Sequence, residues 1–102
     1  MPETYYLDTK SIAVFSAAEP KPQFLLDTPA FKALVVGLEA GQKLPVHPGG
    51  VAMYHFLEGE GLMTVDEESF AIKPGATIVV ANGAKRGMTA KTRLVFLASK
   101  GE

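Results

Sequence analysis

The chain has 102 residues, 47% of them hydrophobic, which is the length of one domain and enough apolar material for a single core. A formal net charge of -1 excludes a global basic field of the kind that draws in nucleic acid or an anionic membrane, so neither partner is expected. With no cysteine, the chain has neither a disulfide framework nor a thiolate metal site.

The start, MPETYYLDTK, lacks a basic region followed by an apolar one, and no apolar run approaches the ~20 residues of a membrane-spanning helix, so a cytoplasmic protein is expected. Residues 1–10 read as a loosely held arm in which Tyr5, Tyr6 and Leu7 are able to pair as a short edge strand. Residues 11–15 (SIAVF) and 23–27 (QFLLD) read as two short strands, separated by AAEPKP, whose prolines cannot donate to a ladder. Residues 31–39 (FKALVVGLE) form the first long strand, favoured over a helix by the valine pair and Gly37. A turn-rich corner follows from Gly41 to Gly61 (GQKLPVHPGGVAMYHFLEGEG), with His47 at its bend and a second long strand over residues 51–57.

The second half is more regular. Residues 61–72 read as two strands around a polar tip at residues 66–69, KPG at 73–75 makes another turn, and TIVVA at 77–81 follows as a strand. Asn82-Gly83 is a tight-turn signal, after which GMTA and residues 92–99 (TRLVFLAS) complete the set. Short, glycine-punctuated strands at roughly 8 to 12 residue spacing, with no amphipathic helix, predict a β-sandwich or barrel.

The segment GQKLPVHPG, followed by YHFLEGEG, KPG, TIVVANGAKR and a final apolar strand, resembles the two sequence motifs of the cupin superfamily, over about residues 31–99. The resemblance implies an all-β, single-domain jelly-roll barrel of the RmlC-like kind across residues 1–102. Residues 1–30 would supply N-terminal strands that associate in a homodimer.

In the family's first motif a glycine is followed six positions on by a histidine, a second histidine two later, a glutamate, and a closing glycine. Gly41 and His47 keep that spacing. The second histidine position falls on Gly49, and the glutamate on Ala52 or Met53 depending on a one-residue gap. In the second motif Gly75 and Gly83 are kept, while the proline position holds Ala81 and the histidine position Arg86. Only His47 remains of four ligand positions. Gly, Ala, Met and Arg do not replace imidazole or carboxylate donors, so neither a metal nor another cofactor is expected.

Strand alternation decides the use of His55, the other histidine. If Ala52 faces the lumen, so do Tyr54 and Phe56, and His55 points away; this register is preferred. The alternative gap turns Met53 and His55 inward and allows a two-histidine site.

The expected ligand-binding residues are His47, Tyr54, Arg86, Phe56 and Met88, with Arg86 facing His47 at the barrel mouth. Each has a plainer reading: His47 as a loop residue capping a turn, Arg86 as part of a solvated hairpin edge, and Tyr54, Phe56 and Met88 as core. A guanidinium would grip a carboxylate or phosphate, and an imidazole would add charge only in mild acid. No phosphate-cradling, dinucleotide, nucleophile-elbow or HExxH motif is present.

Three functions follow. The leading one is a cupin that binds a small organic molecule, such as an anion, in its barrel without the family's metal site. The second is an enzyme, either a metal-free isomerase or epimerase using His47 or a metal enzyme rebuilt around His47 and His55. The third is a dimeric interaction module.

Overall fold

The computed structural model describes residues 5–101; the first four residues of the expected N-terminal arm and Glu102 lie outside them. The fold is an all-β jelly roll. After a short 3-10 turn at Thr9–Ile12, the described residues form β1 Gln23–Asp27, β2 Phe31–Leu38, β3 Lys43–Pro48, β4 Ala52–Glu58 and β5 Gly61–Val65. They continue through β6 Glu68–Ile72, β7 Thr77–Val80, β8 Lys85–Ala90 and β9 Leu94–Gly101. Five strands make one sheet in the order β1-β2-β9-β4-β7, and four make the other in the order β3-β8-β5-β6.

The expected register of β4 holds. Ala52, Tyr54 and Phe56 are buried, while Met53 is exposed and His55 points to the outer face. Inward residues of both sheets, including Leu38, Met63, Ile72, Val80, Leu94 and Phe96, form one core with them. Phe56 lies opposite Phe96 in the ladder, ring centroids 5.8 Å apart, and Tyr54 packs on the same ring at 5.7 Å. Burying one such aromatic side chain stabilises the fold by roughly 2–3 kcal/mol, so this trio anchors the barrel.

Two expectations are corrected. Residues 11–15 are not a strand: Ser11 Oγ donates to the Asp8 carbonyl at 2.8 Å, a local bond that competes with a ladder and closes the turn. The apolar residues after it serve instead as an anchor, with the Phe15 ring lying against Gly37 on the outer face of β2. This cover explains why β2 is buried on both faces from Leu34 to Leu38 and reads as a continuous apolar run. Tyr5, Tyr6 and Leu7 likewise form no strand.

The second correction concerns the corner, which contains a strand of its own, β3. Two prolines argue against a strand there, but β3 is a sheet edge, where missing N–H donors cost least. It carries one extra residue between Leu44 and His47 relative to β8, a bulge at Pro45-Val46. Gly87 makes room for it, since a Cβ there would sit 2.8 Å from Val46 Cγ2 and 2.9 Å from the Leu44 carbonyl oxygen. No helix among the described residues is long and apolar enough to cross a membrane.

Candidate functional site

Between the sheets lies a cavity of about 190 Å³. Its walls are Leu34 and Val36 of β2, Leu44 of β3, and Phe96 and Ala98 of β9; Pro20 and Pro22 border it where the chain approaches β1. That segment is tied down by Gln42, whose Nε2 donates to the Ser16 carbonyl at 2.6 Å. Three polar side chains, His47, Tyr54 and Lys100, also line the cavity, and no carboxylate does among the described residues.

The bulge in β3 delivers His47 to the rim. There its Nδ1 lies 2.9 Å from the Pro45 carbonyl oxygen. A carbonyl only accepts, so Nδ1 carries a proton and Nε2 is left for a ligand or water.

Tyr54 is only 3% exposed, and its hydroxyl has no hydrogen-bond partner among the described residues. None of their side-chain polar atoms is both fully buried and unpaired, so that hydroxyl is the part of Tyr54 that opens onto the cavity. Lys100 shares the inward parity of Phe96 and Ala98 on β9 and lies opposite Ala52 of β4, one inward position from Tyr54. It is half-buried and has no ion pair or hydrogen bond among the described residues. Burial, and then the charge of Arg86, hold its ammonium below the usual lysine range.

Arg86 lies directly opposite His47 in the register of β3 and β8. Its side chain, however, is turned into the protein rather than toward the barrel mouth, and the residue is 3% exposed. Nε donates to the Ala84 carbonyl at 3.0 Å, and Nη2 to those of Ala84, Gly49 and Ala81 at 2.8, 3.1 and 3.3 Å. These bonds clamp the loop after β3 to the turn before β8, where Gly83 N also donates to the Gly49 carbonyl. The cavity therefore feels the charge of Arg86 without having its donors as a wall.

His47 and Tyr54 thus come together at the cavity, while Phe56 and Met88 lie in the core beyond it. Sequence reasoning missed Lys100. The pattern F-x-A-x-K across residues 96–100 held the signal, because strand alternation continues the inward face onto a lysine.

The family's metal positions do not form a donor set. Gly49 packs on the Arg86 guanidinium, Ala52 is buried, Met53 faces outward, and Arg86 is fixed to carbonyls. The alternative pairing of His47 with His55 is not made, since His55 bonds Thr77 Oγ1 at 2.7 Å on the outer face. No group of three or more His, Asp or Glu side chains capable of holding a metal occurs among the described residues.

Comparison with known proteins agrees with this architecture. A conserved protein of unknown function from Streptococcus pyogenes superposes with a TM-score of 0.88 at 22% identity, covering 100% of this chain and 90% of that one. A cupin superfamily protein from Desulfitobacterium hafniense gives 0.88 at 17% identity, covering 99% and 94%. An RmlC-like cupin from Desulfovibrio desulfuricans gives 0.80 at 25% identity, covering 99% and 96%. No curated protein matches. The cupin-domain family model matches residues 34–99, from β2 through most of β9, and the chain belongs to the cupin family.

Proposed function

We propose that this cupin binds a small organic anion in the cavity between its sheets, without using the family's metal positions. The observation that carries the reading is the polar set of that cavity. Among the described residues Lys100 and the Tyr54 hydroxyl have no partner, they face apolar walls, no carboxylate answers them, and the fixed charge of Arg86 lies behind. A carboxylate would take a charge-assisted bond from Lys100 and a neutral one from Tyr54, while its carbon skeleton lies against Leu34, Val36 and Phe96. The volume suits a small guest, since an apolar cavity of about 150 Å³ already holds a benzene ring.

Calorimetry with butanoate, benzoate and a small phosphate ester tests the reading. At least one should bind, and Lys100→Met should weaken it about tenfold, the loss of one charge-assisted hydrogen bond. Equal heats for wild type and Lys100→Met, or none with any probe, would contradict it.

The partner proposed alongside is a second copy of the chain. Its support is the outer face of the five-stranded sheet, where Phe31, Val51, Met53 and Val79 border a shallow apolar groove and Val79 is 71% exposed.

A further inference from the structure

We propose that Lys100 is a carbonyl-capturing amine, which condenses with the keto or aldehyde group of a small oxo acid held in the cavity. The inference rests on the reading of the cavity as an anion site and narrows the ligand class.

Lys32 pairs with Asp27 and Lys10 with Glu58 at 3.5 Å, and Lys21, Lys43, Lys73, Lys85 and Lys91, which have no ion pair among the described residues, are exposed to water. Lys100 points to the interior side of β9, in register with buried Ala52, and has no such partner among the described residues. An unpaired, half-buried ammonium opposes stability, and side chains held against that cost are commonly functional. Gripping an anion would be served as well by arginine. Lysine adds nucleophilicity once its proton is lost, and apolar surroundings with a neighbouring cation are the two conditions that promote that loss. Lys100 has both, in its cavity walls and in Arg86.

The step needs no oxidant or reductant. The Lys100 Nζ lone pair attacks the carbonyl carbon, a C–N bond forms, and the carbonyl π pair moves to oxygen, which takes a proton from the Tyr54 hydroxyl. Nζ returns one proton to the Tyr54 oxygen, and the carbinolamine then breaks its C–O bond as the Tyr54 hydroxyl donates that proton to the leaving oxygen, which departs as water and leaves an iminium on Nζ; the Tyr54 oxygen regains from water the proton that the resting ammonium had given up. The iminium keeps the positive charge that Lys100 had, so a carboxylate next to the captured carbon stays neutralised. Tyr54 sits one inward position away on the neighbouring strand, and such diagonal neighbours are about 7–8 Å apart at the backbone, within reach of two long side chains.

Incubation of the full chain with pyruvate and sodium cyanoborohydride, followed by intact mass and peptide mapping, tests this. The expected result is one adduct on Lys100, formed at least about tenfold faster than on the surface lysines, slowed by butanoate and reduced in Tyr54→Phe. Lys100→Arg keeps the charge and should give no adduct at that position; its melting temperature reports that it is folded. Adducts spread evenly over surface lysines would overturn the proposal. Butanoate binding by calorimetry without any adduct would also overturn it, while the anion reading stands. Capture of neutral butanal but not of pyruvate would overturn the oxo-acid class and the anion reading together.

Discussion

Arg86 Nη2 donates to the Gly49 carbonyl oxygen at 3.1 Å, and a Cβ added to Gly49 would lie 3.2 Å from Arg86 Nη1. Two positions that the cupin motifs give to metal-binding histidines are thus donor and acceptor of a backbone clamp, each limiting what the other can be. Arg86→Met leaves the carbonyls of Gly49, Ala81 and Ala84 without these donors. It should cost about 3 kcal/mol, a fall in melting temperature of roughly 12–20 °C in a domain of this size. Thermal denaturation showing no change would contradict the clamp.

The same contact predicts coupling. Gly49→His alone should be poorly tolerated beside the guanidinium. Combined with Arg86→His it should be tolerated better than the sum of the two, and with His47 should yield a protein that retains zinc through dialysis. A double-mutant cycle and elemental analysis measure both effects; additive destabilisation without metal uptake would count against this account of the site.

Lys100 gives a pH signature. Its folded-state pKa lies below the ordinary lysine value of 10.5, chiefly through burial, so its charge costs stability at neutral pH. The unfolded chain binds more protons in the window between the two values, and stability contributed by this group rises with pH there. Lys100→Met should therefore melt higher than wild type at pH 7, with the difference shrinking toward pH 10.5. A bound carboxylate acts oppositely by favouring the ammonium, so ligand affinity should fall across that window in wild type but not in the variant. Melting curves and titrations at a series of pH values check both signs.

Glycine positions separate two physical causes. Gly59 has φ of +84°, and a Cβ there would lie 1.8 Å from the Arg93 carbonyl oxygen; Gly75 has φ of +94° with open space around it. Gly75→Ala should cost only the left-handed backbone penalty, about 1–2 kcal/mol. Gly59→Ala adds a clash with a neighbouring backbone and should cost about 3 kcal/mol or more. Similar losses in urea unfolding would show that packing at Gly59 has been misjudged.

The self-association proposal predicts that the chain sediments as a dimer at roughly ten micromolar and that Val79→Glu makes it a monomer without lowering monomer stability, since a charge in the centre of an apolar interface is costly to desolvate. A wild-type monomer, or a dimer unaffected by Val79→Glu, would remove the outer face from consideration.

The barrel was readable in the sequence wherever alternation and glycine punctuation agreed. Ala52, Tyr54 and Phe56 declare the inward face of β4, and the closing turn at residues 58–61 is marked by the two glycines around Glu60. Strand β3 was not readable, because Pro45 and Pro48 signal a loop and only an edge position makes them compatible with a ladder. Residues 11–15 misled in the other direction: their apolar content anchors a turn on the sheet, with Phe15 under Arg93 at 4.3 Å from the ring centroid. Arg86 was found by motif spacing, but spacing does not say where a long side chain turns. Lys100 was accessible through parity alone, yet it falls just beyond the apolar run that drew attention to β9.

The central claim, an anion site made by Lys100 and Tyr54 between the sheets, is tested most directly by methyl-resolved NMR during titration with butanoate. The account predicts saturable shifts confined to the cavity methyls of Leu34, Val36 and Leu44, strongly reduced in Lys100→Met. Shifts at Val51 and Val79 on the outer face instead, or cavity shifts that persist unchanged in Lys100→Met, would contradict it.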